Sequence, residues 1–258
     1  MNFFFRLPTY ILFAIIFSLV ILANWLGYRY KKWELEKHPG QAREGMGSIE
    51  GSILGVMSLL MGFTFSLAVS KFEARRHVIV DEANIIGTAI LRCDLYPDSI
   101  RIPLRKDFKD YVETRIAYYE AGNDEEIMSN QIDKSEVISA RIWKSVTFHS
   151  SDLDFRIRSQ QMIPVINEMI DIVTTRDALR ISRVPQLVLW TLLILVLTAA
   201  FLLGSDYKGN KRNIILLLGY ALVMTLTLNL ITELNHPREG LINLDGVERK
   251  MSNLRKLV

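Results

Sequence analysis

Six small residues recur along one apolar stretch of the sequence, and their spacing is the clearest chemical signal in the chain. They are separated by 4, 3, 4, 4 and 4 positions: Gly51, Gly55, Ser58, Gly62, Ser66 and Ser70. On a helix, this spacing places all six on one face. Inside a membrane, such a face lets backbones approach closely, either against another helix or around a symmetry axis.

Charged residues flank this stretch on both sides. Lys71, Arg75 and Arg76 follow it without a helix-breaking residue, and Glu50 precedes it. The basic residues could attract anions to the mouth of a pore, whereas Glu50 would repel them if it faced the same pore. Flanking charge is also usual where a helix leaves a membrane, and Glu73 can pair with Arg76 along the helix.

The other residue types that carry chemistry are sparse and scattered. Cys93 is the single cysteine, which excludes an intramolecular disulfide and a cysteine-based zinc site. The four histidines have no carboxylate or thiol at ligand spacing: His38, His77, His149 and His236. We find no catalytic motif, phosphate loop or basic tract with aromatics. The sequence therefore predicts no metal, no cofactor, no nucleic acid partner and no enzymatic activity.

Four uncharged runs supply the elements that must position the small-residue face. The composition is 50% hydrophobic and 23% charged, and the charges are segregated from these runs: 7–28, 51–70, 184–205 and 213–232. Each run has about 20 residues, the length of a membrane-spanning helix. We expect four transmembrane helices, the second being the candidate pore helix. A cleaved signal peptide is a weaker alternative for the first run, because its apolar part is too long.

The segment 71–183 is expected to be a soluble helical domain inserted between the second and third spans. Its apolar residues recur at helical spacing, no part alternates at the period of a strand, and Ser151 is a candidate helix cap. The expected fold class is therefore an all-α membrane protein. Pro164 and Pro185 should kink the last helix of the domain as it approaches the third span.

The four spans place both termini and the 71–183 domain on one side of the membrane. Basic residues near the spans number nine on that side and eight on the other, so their count barely decides the orientation. A charged domain without disulfides fits the cytoplasm better, and we expect both termini to lie there. The tail 233–258 contains a short amphipathic helix, predicted to dock on the helical domain, with a membrane-surface anchor as the alternative.

Ionisable residues are absent from the four predicted spans, which argues against a proton-coupled transporter. Polar residues do occur in the fourth span, where Asn229 lies near Thr225 and Thr232. We expect an interhelical hydrogen bond from this group, contributing about 0.6 to 2 kcal/mol.

Several short motifs resemble the bestrophin-like domain family of bacterial membrane proteins. They are GFTF at 62–65, KFEARR at 71–76, EAN at 82–84, RCDLYP at 92–97 and the turn PREG at 237–240. The resemblance spans about 50–244. It implies an inner-membrane protein of bacterial type and an analogy with bestrophins, which are pentameric chloride channels with four spans and a helical cytoplasmic domain.

The resemblance also implies a role for the second span, because that span lines the bestrophin pore and narrows it at apolar residues spaced by four. The corresponding positions here are Gly55, Leu59 and Phe63, of which Gly55 departs from the apolar pattern. The pore-lining candidates on this face are Ser52, Gly55, Leu59, Phe63, Ser66 and Ser70, and the pore-mouth charges are Glu50, Lys71, Arg75 and Arg76.

Two functions fit these patterns. The first is a homo-oligomeric ion channel, expected to be pentameric and weakly favouring anions, in which hydrophobic rings gate by dewetting. The second is a non-conducting membrane sensor or assembly protein that binds a cytoplasmic partner through 71–183, with the small-residue face serving only for helix packing. Membrane lipid is a partner in both.

Overall fold

The computed structural model of the chain describes residues 7–37, 47–122, 124–205, 214–236, 242 and 244–258; for 47–50 and 245 it describes the backbone. This part of the chain is helical and contains no strand, so the all-α prediction is confirmed. The helices are α1 (Thr9–Lys37), α2 (Gly47–Arg92), α3 (Asp98–Glu120), α4 (Glu125–Ser150), α5 (Arg156–Ile181), α6 (Gln186–Ser205), α7 (Ile214–Asn235) and α8 (Asp245–Asn253).

Four helical stretches are long and apolar enough to cross a membrane, as the sequence predicts. The predicted turns at 206–212 and 237–240 lie outside the described residues. Two local expectations are wrong. Ser151 ends α4 instead of capping the next helix, which begins after Phe155. Pro185 lies in a non-helical segment between α5 and α6 instead of kinking one continuous helix. Proline lacks a backbone N–H and disfavours a helical conformation of the residue before it.

The chain divides into two compact units, and unit 1 comprises Met1–Phe72 and Arg183–Ile242. In unit 1, α1 packs against α6 and α7 around buried aliphatic side chains from each helix. The close approach of α1 to α6 depends on Gly27 and Gly204. A Cβ atom added at Gly27 would lie 2.0 Å from the carbonyl oxygen of Phe201, and one at Gly204 would lie 2.1 Å from that of Asn24. Only glycine fits at either position.

Unit 2 comprises Glu73–Ser182 and Asn243–Val258. Within it, α4 packs against α3 and α5, and α8 packs against α3. Asp124 caps α4, since its carboxylate accepts hydrogen bonds from the backbone N–H groups of Glu126 and Ile127 at 3.1 and 3.0 Å. The structure docks the amphipathic tail on the helical domain: Met251 and Leu254 are buried, and Arg255 forms an ion pair with Glu113 at 2.8 Å.

Candidate functional site

The apolar part of α2 has one face that packs inside unit 1 and one that does not. Met57, Met61, Thr64 and Ala68 recur at spacings of about one helical turn, and each is at most 7% exposed. The hydroxyl of Thr64 donates a hydrogen bond to the carbonyl oxygen of Leu60 at 2.8 Å, so this polar group is satisfied within the helix. The packed face of α2 is therefore a row of apolar or internally satisfied side chains.

The small-residue face of α2 is exposed in the part of the chain that the structure describes. Around Gly51, Gly55 and Gly62, an added Cβ atom would meet none of the described groups within 4 Å. Ser58 and Ser66 are likewise exposed. The interpretation that this face packs against the chain's own helices is therefore wrong for the described residues. The face is available to lipid, to water or to another copy of the chain.

The six pore-lining candidates all lie on the exposed side of α2. Leu59 and Phe63 are 57% and 66% exposed, and the four small residues are exposed as well: Ser52, Gly55, Ser66 and Ser70. At a rise of 1.5 Å per residue, the set extends over about 27 Å, close to the thickness of the hydrocarbon core. The two large apolar side chains occupy its middle, about 10 Å from the outermost serine on either side.

The basic residues after this face have different surroundings. Arg75 is buried and donates hydrogen bonds to the carbonyl oxygens of Leu179 at 3.1 Å and Ser182 at 2.8 Å. Its guanidinium thus satisfies the C-terminal end of α5, where carbonyl groups lack helical partners. Arg76 is exposed and forms the expected ion pair with Glu73 at 2.9 Å. Lys71 is partly exposed, and the Glu50 side chain lies outside the described atoms.

The expected interhelical hydrogen bond from the polar residues of α7 is not found among the described residues. Thr232 donates to the carbonyl oxygen of Leu228, within its own helix. Thr225 Oγ1 and Asn229 Oδ1 are buried without a hydrogen-bond partner in the described structure. The helix also extends beyond the predicted span to include Glu233, a buried carboxylate that accepts from the Thr9 hydroxyl.

Unit 2 contains a buried ionic cluster that the sequence reasoning did not identify. Glu82 from α2 and Arg115 from α3 are fully buried, and Arg176 from α5 is 5% exposed. The Nε atom of Arg115 lies 2.6 Å from Glu82 Oε1, and the hydroxyl of Tyr119 donates to Glu82 Oε2 at 2.7 Å. The Nη1 atom of Arg176 is 3.6 Å from the same Oε2. The carboxylate therefore links three helices of the unit.

The guanidinium groups of both arginines lie over the ring of Tyr118. The Cζ atom of Arg176 lies 3.8 Å from the centroid of the Tyr118 ring, and that of Arg115 lies 4.9 Å from the same centroid. A cation–π contact offsets part of the cost of burying a cation. It does not supply an acceptor for the guanidinium N–H groups, which need hydrogen-bond partners of their own.

The pKa values in this cluster follow from burial and from the Glu82 charge. Burial acts to lower the pKa of Arg115, but the adjacent Glu82 carboxylate outweighs it and holds that pKa above its ordinary value. Burial, followed by the negative charge of Glu82, raises the pKa of Tyr119 well above the ordinary value. Burial also raises the pKa of Tyr111. At neutral pH, Arg115 is therefore charged, and Tyr119 and Tyr111 are neutral.

A signal for this cluster is present in the sequence. Glu82 lies four residues from Val78 and from Ile86, on the apolar face of α2. Arg115 follows Tyr111 by four residues on the apolar face of α3. A charged residue at a core position of an amphipathic helix indicates a buried partner, because an isolated buried charge is too costly. Among the described residues, no three His, Cys, Asp or Glu side chains lie close enough together to hold a metal ion.

Comparison with solved structures identifies the class of fold. The chain is an all-α protein with four helices able to span a membrane, and its fold is that of the bacterial bestrophin homologs. A bestrophin homolog from Klebsiella pneumoniae with a tryptophan-to-alanine substitution matches with a TM-score of 0.72 at 12% identity, over 95% of this chain and 97% of that one.

Two further structures agree. A variant of the Klebsiella pneumoniae homolog with a tyrosine-to-alanine substitution gives a TM-score of 0.68 at 13% identity, over 94% of this chain and 98% of that one. A membrane protein with a leucine-to-alanine substitution gives 0.69 at 12% identity, over 94% and 99%. No protein-family model matches the chain, and no curated protein does. The resemblance predicted from the short motifs is thus confirmed as a likeness of fold.

Proposed function

We propose that this chain is the subunit of a homo-oligomeric ion channel in which the small-residue face of α2 surrounds a central pore. The observation that carries the proposal is the exposure of that face within a bestrophin fold: none of the described residues would contact a Cβ added at Gly51, Gly55 or Gly62. A pentamer in a bacterial inner membrane, with both termini and unit 2 in the cytoplasm, completes the proposal.

The exposed faces of the helices differ in a way that supports this arrangement. On α7, large aliphatic side chains dominate the exposed surface, as suits contact with lipid, and Ile215 and Leu216 are 84% and 66% exposed. The exposed surface of α2 also includes large apolar side chains such as Val56 and Leu67, but the face that carries Leu59 and Phe63 contains glycine and serine as well. Small polar residues permit close approach of backbones or contact with water, which a lipid-facing helix does not need.

The order of residues along the face suits a hydrophobic gate. Leu59 and Phe63 would form neighbouring apolar rings about 6 Å apart along the axis. Ser52 lies beyond one ring, and Ser66 and Ser70 lie beyond the other. Hydrated ions could approach from both ends, and the narrow apolar part would control passage by dewetting.

The weak preference for anions rests on the basic residues after the span. Lys71 and Arg76 would lie near one mouth of the pore and raise the local concentration of anions. Arg76 shares its charge with Glu73, and Arg75 is buried against the end of α5. Glu50 would act against anions at the opposite mouth. The net effect is expected to be modest.

The first experiment is the native mass of the detergent-solubilised complex, followed by ion flux in liposomes. A ring of five subunits and a flux increased several-fold by Phe63→Ala are the expected results, because the substitution widens the apolar constriction. Phe65→Ala is the matched control: it lies on the same helix but about 200° from Phe63 around the axis. A monomer, or equal flux from both variants in a conducting protein, would contradict the pore assignment.

The second candidate function is a non-conducting membrane sensor or assembly protein. Exposed apolar side chains near the junction of α4 and α5 favour this function, because such side chains can form a binding surface for a partner protein. They are Phe148, Leu153 and Ile157, which are 76%, 74% and 74% exposed. A partner protein recovered with the wild-type chain and lost from a Phe148→Ser variant, together with absence of ion flux, would support this function over a channel.

A further inference from the structure

The buried cluster in unit 2 has more positive than negative charge. Arg115 and Arg176 each carry one positive charge, and among the described residues Glu82 is the only carboxylate that pairs with either of them. All three side chains are at most 5% exposed. An excess positive charge in a buried position is costly without a counter-charge.

The hydrogen-bonding groups of the two arginines are also incompletely used. Five guanidinium nitrogens are buried without a hydrogen-bond partner in the described structure: Nη1 and Nη2 of Arg115, and Nε, Nη1 and Nη2 of Arg176. One of these, Nη1 of Arg176, lies within ion-pair distance of Glu82, at 3.6 Å. Buried donors in native proteins nearly always have an acceptor, supplied by protein, water or an ion. The contacts with the Tyr118 ring do not satisfy these N–H groups, so another acceptor is needed.

We propose that Arg115 and Arg176 bind a small monovalent inorganic anion, chloride being the representative ion, inside the helical domain. One negative charge would balance the excess positive charge and accept hydrogen bonds from the guanidinium edges. Water could accept the hydrogen bonds but would leave the charge uncompensated. Tyr119 and Tyr111 cannot replace the anion, because burial raises the pKa of each and keeps it neutral at neutral pH.

Burial and charge determine which anion fits. Arg115, Tyr118 and Tyr119 are at most 6% exposed, so the site excludes a bulky organic anion or the side chain of a partner protein. A divalent oxyanion would over-compensate the single excess charge. The site would act as a structural ion of the domain and is independent of whether the protein conducts.

The test compares the thermal unfolding midpoint of the full-length protein in sodium chloride and in sodium gluconate at equal ionic strength. Chloride is expected to raise the midpoint by about 5–10 °C once it exceeds the dissociation constant a hundredfold. Gluconate is too large for the site and should give no such rise. Sodium sulfate at the same ionic strength tests the monovalent assignment. Because sulfate also stabilises proteins without a specific site, the assignment is overturned only by a sulfate response that is lost from an Arg176→Met variant.

Arg176→Met supplies the decisive variant, because it removes the excess charge and leaves Glu82 paired with Arg115. We expect the chloride response to disappear and the midpoint in gluconate to equal or exceed that of the wild type. Arg156→Met is the matched control: Arg156 is exposed on the same helix, α5, and its loss should preserve the full response.

Two results would overturn the anion site itself, whatever the response to sulfate. One is a wild-type midpoint that is the same in chloride and gluconate, which requires no variant and so does not depend on the folding of Arg176→Met. The other is an equal chloride response in the Arg176→Met and Arg156→Met proteins, which would place the responsible site elsewhere, for example in the pore.

Discussion

Alanine at Gly27 is expected to destabilise unit 1, whereas alanine at Gly62 is not. The added Cβ at Gly27 would lie 2.0 Å from the carbonyl oxygen of Phe201, and real Cβ contacts essentially never fall below 3.0 Å. That oxygen belongs to the helix backbone and cannot rotate away, so α1 and α6 must separate by at least 1 Å. A gap of that size forfeits about a quarter to a half of the dispersion energy along the contact.

The expected magnitude is a balance of two effects. Overpacking lowers the free energy of unfolding by about 1–3 kcal/mol, and the upper end applies because the obstructing atom belongs to the backbone. The higher helix propensity of alanine raises the free energy of unfolding by about 1 kcal/mol relative to glycine. The net loss at Gly27 is therefore about 2 kcal/mol, or about 4–8 °C in the unfolding midpoint. At Gly62, where no atom of the chain would meet the added Cβ, only the gain in propensity applies.

The assay is thermal unfolding of both variants in the same detergent, together with their native mass. A lower midpoint for Gly27→Ala and a midpoint at or above the wild-type value for Gly62→Ala are the expected results. Equal midpoints for two variants of the same native mass would refute the assignment of Gly27 to a close helix contact. A smaller native mass for Gly62→Ala alone would show that the small-residue face contacts another copy.

Three further predictions address other parts of the chain. Burial raises the pKa of the Cys93 thiol to about 12. We therefore expect Ellman's reagent at pH 8 to modify this thiol only after the protein unfolds. Rapid modification of the native protein would contradict this prediction. The buried N–H of Val184 donates a hydrogen bond to Asn235 Oδ1 at 2.7 Å. Asn235→Ala removes this acceptor and should lower the free energy of unfolding by about 1–3 kcal/mol. An unchanged unfolding midpoint would contradict this prediction. The hydrogen bond from Arg255 lowers the pKa of Glu113 below its usual value. The Glu113–Arg255 pair therefore stabilises the docked tail fully at a pH above the pKa of Glu113 in the unfolded chain. This stabilisation is lost as the pH falls through the lower pKa of Glu113 in the folded protein. Hydrogen exchange in 245–258 should therefore show weaker protection at acid pH after correction for the intrinsic rate, and an Arg255→Gln variant should lack this pH dependence.

The sequence was sufficient for features that depend on neighbours along the chain. Length and apolar composition predicted four helices able to span a membrane, and helical spacing predicted the amphipathic tail and the pairing of Glu73 with Arg76. These features are local, since residues three or four apart meet on any helix. The motifs also led to the fold, although the solved structures that share it are only 11–13% identical.

Features that depend on which helices become neighbours were predicted less well. The sequence leaves the small-residue face open to packing or to a pore. Among the described glycines, those at which an added Cβ would clash with the backbone of another helix are Gly27 and Gly204, and both lie outside this repeat. Similarly, Arg75 was expected to lie near a pore mouth, and the structure buries its guanidinium against the carbonyl oxygens at the end of α5.

The sequence alone determined that this protein is helical, that it contains four apolar helices, and that one of them has a face of small residues, because composition and periodicity fix these properties within each segment. Only the tertiary structure decided that this face is free of the chain's own helices. Only the tertiary structure, too, brought Glu82, Arg115 and Arg176 together, since they are far apart in sequence and meet only when α2, α3 and α5 pack. The energy of a buried charge depends on such contacts, which no single helix contains.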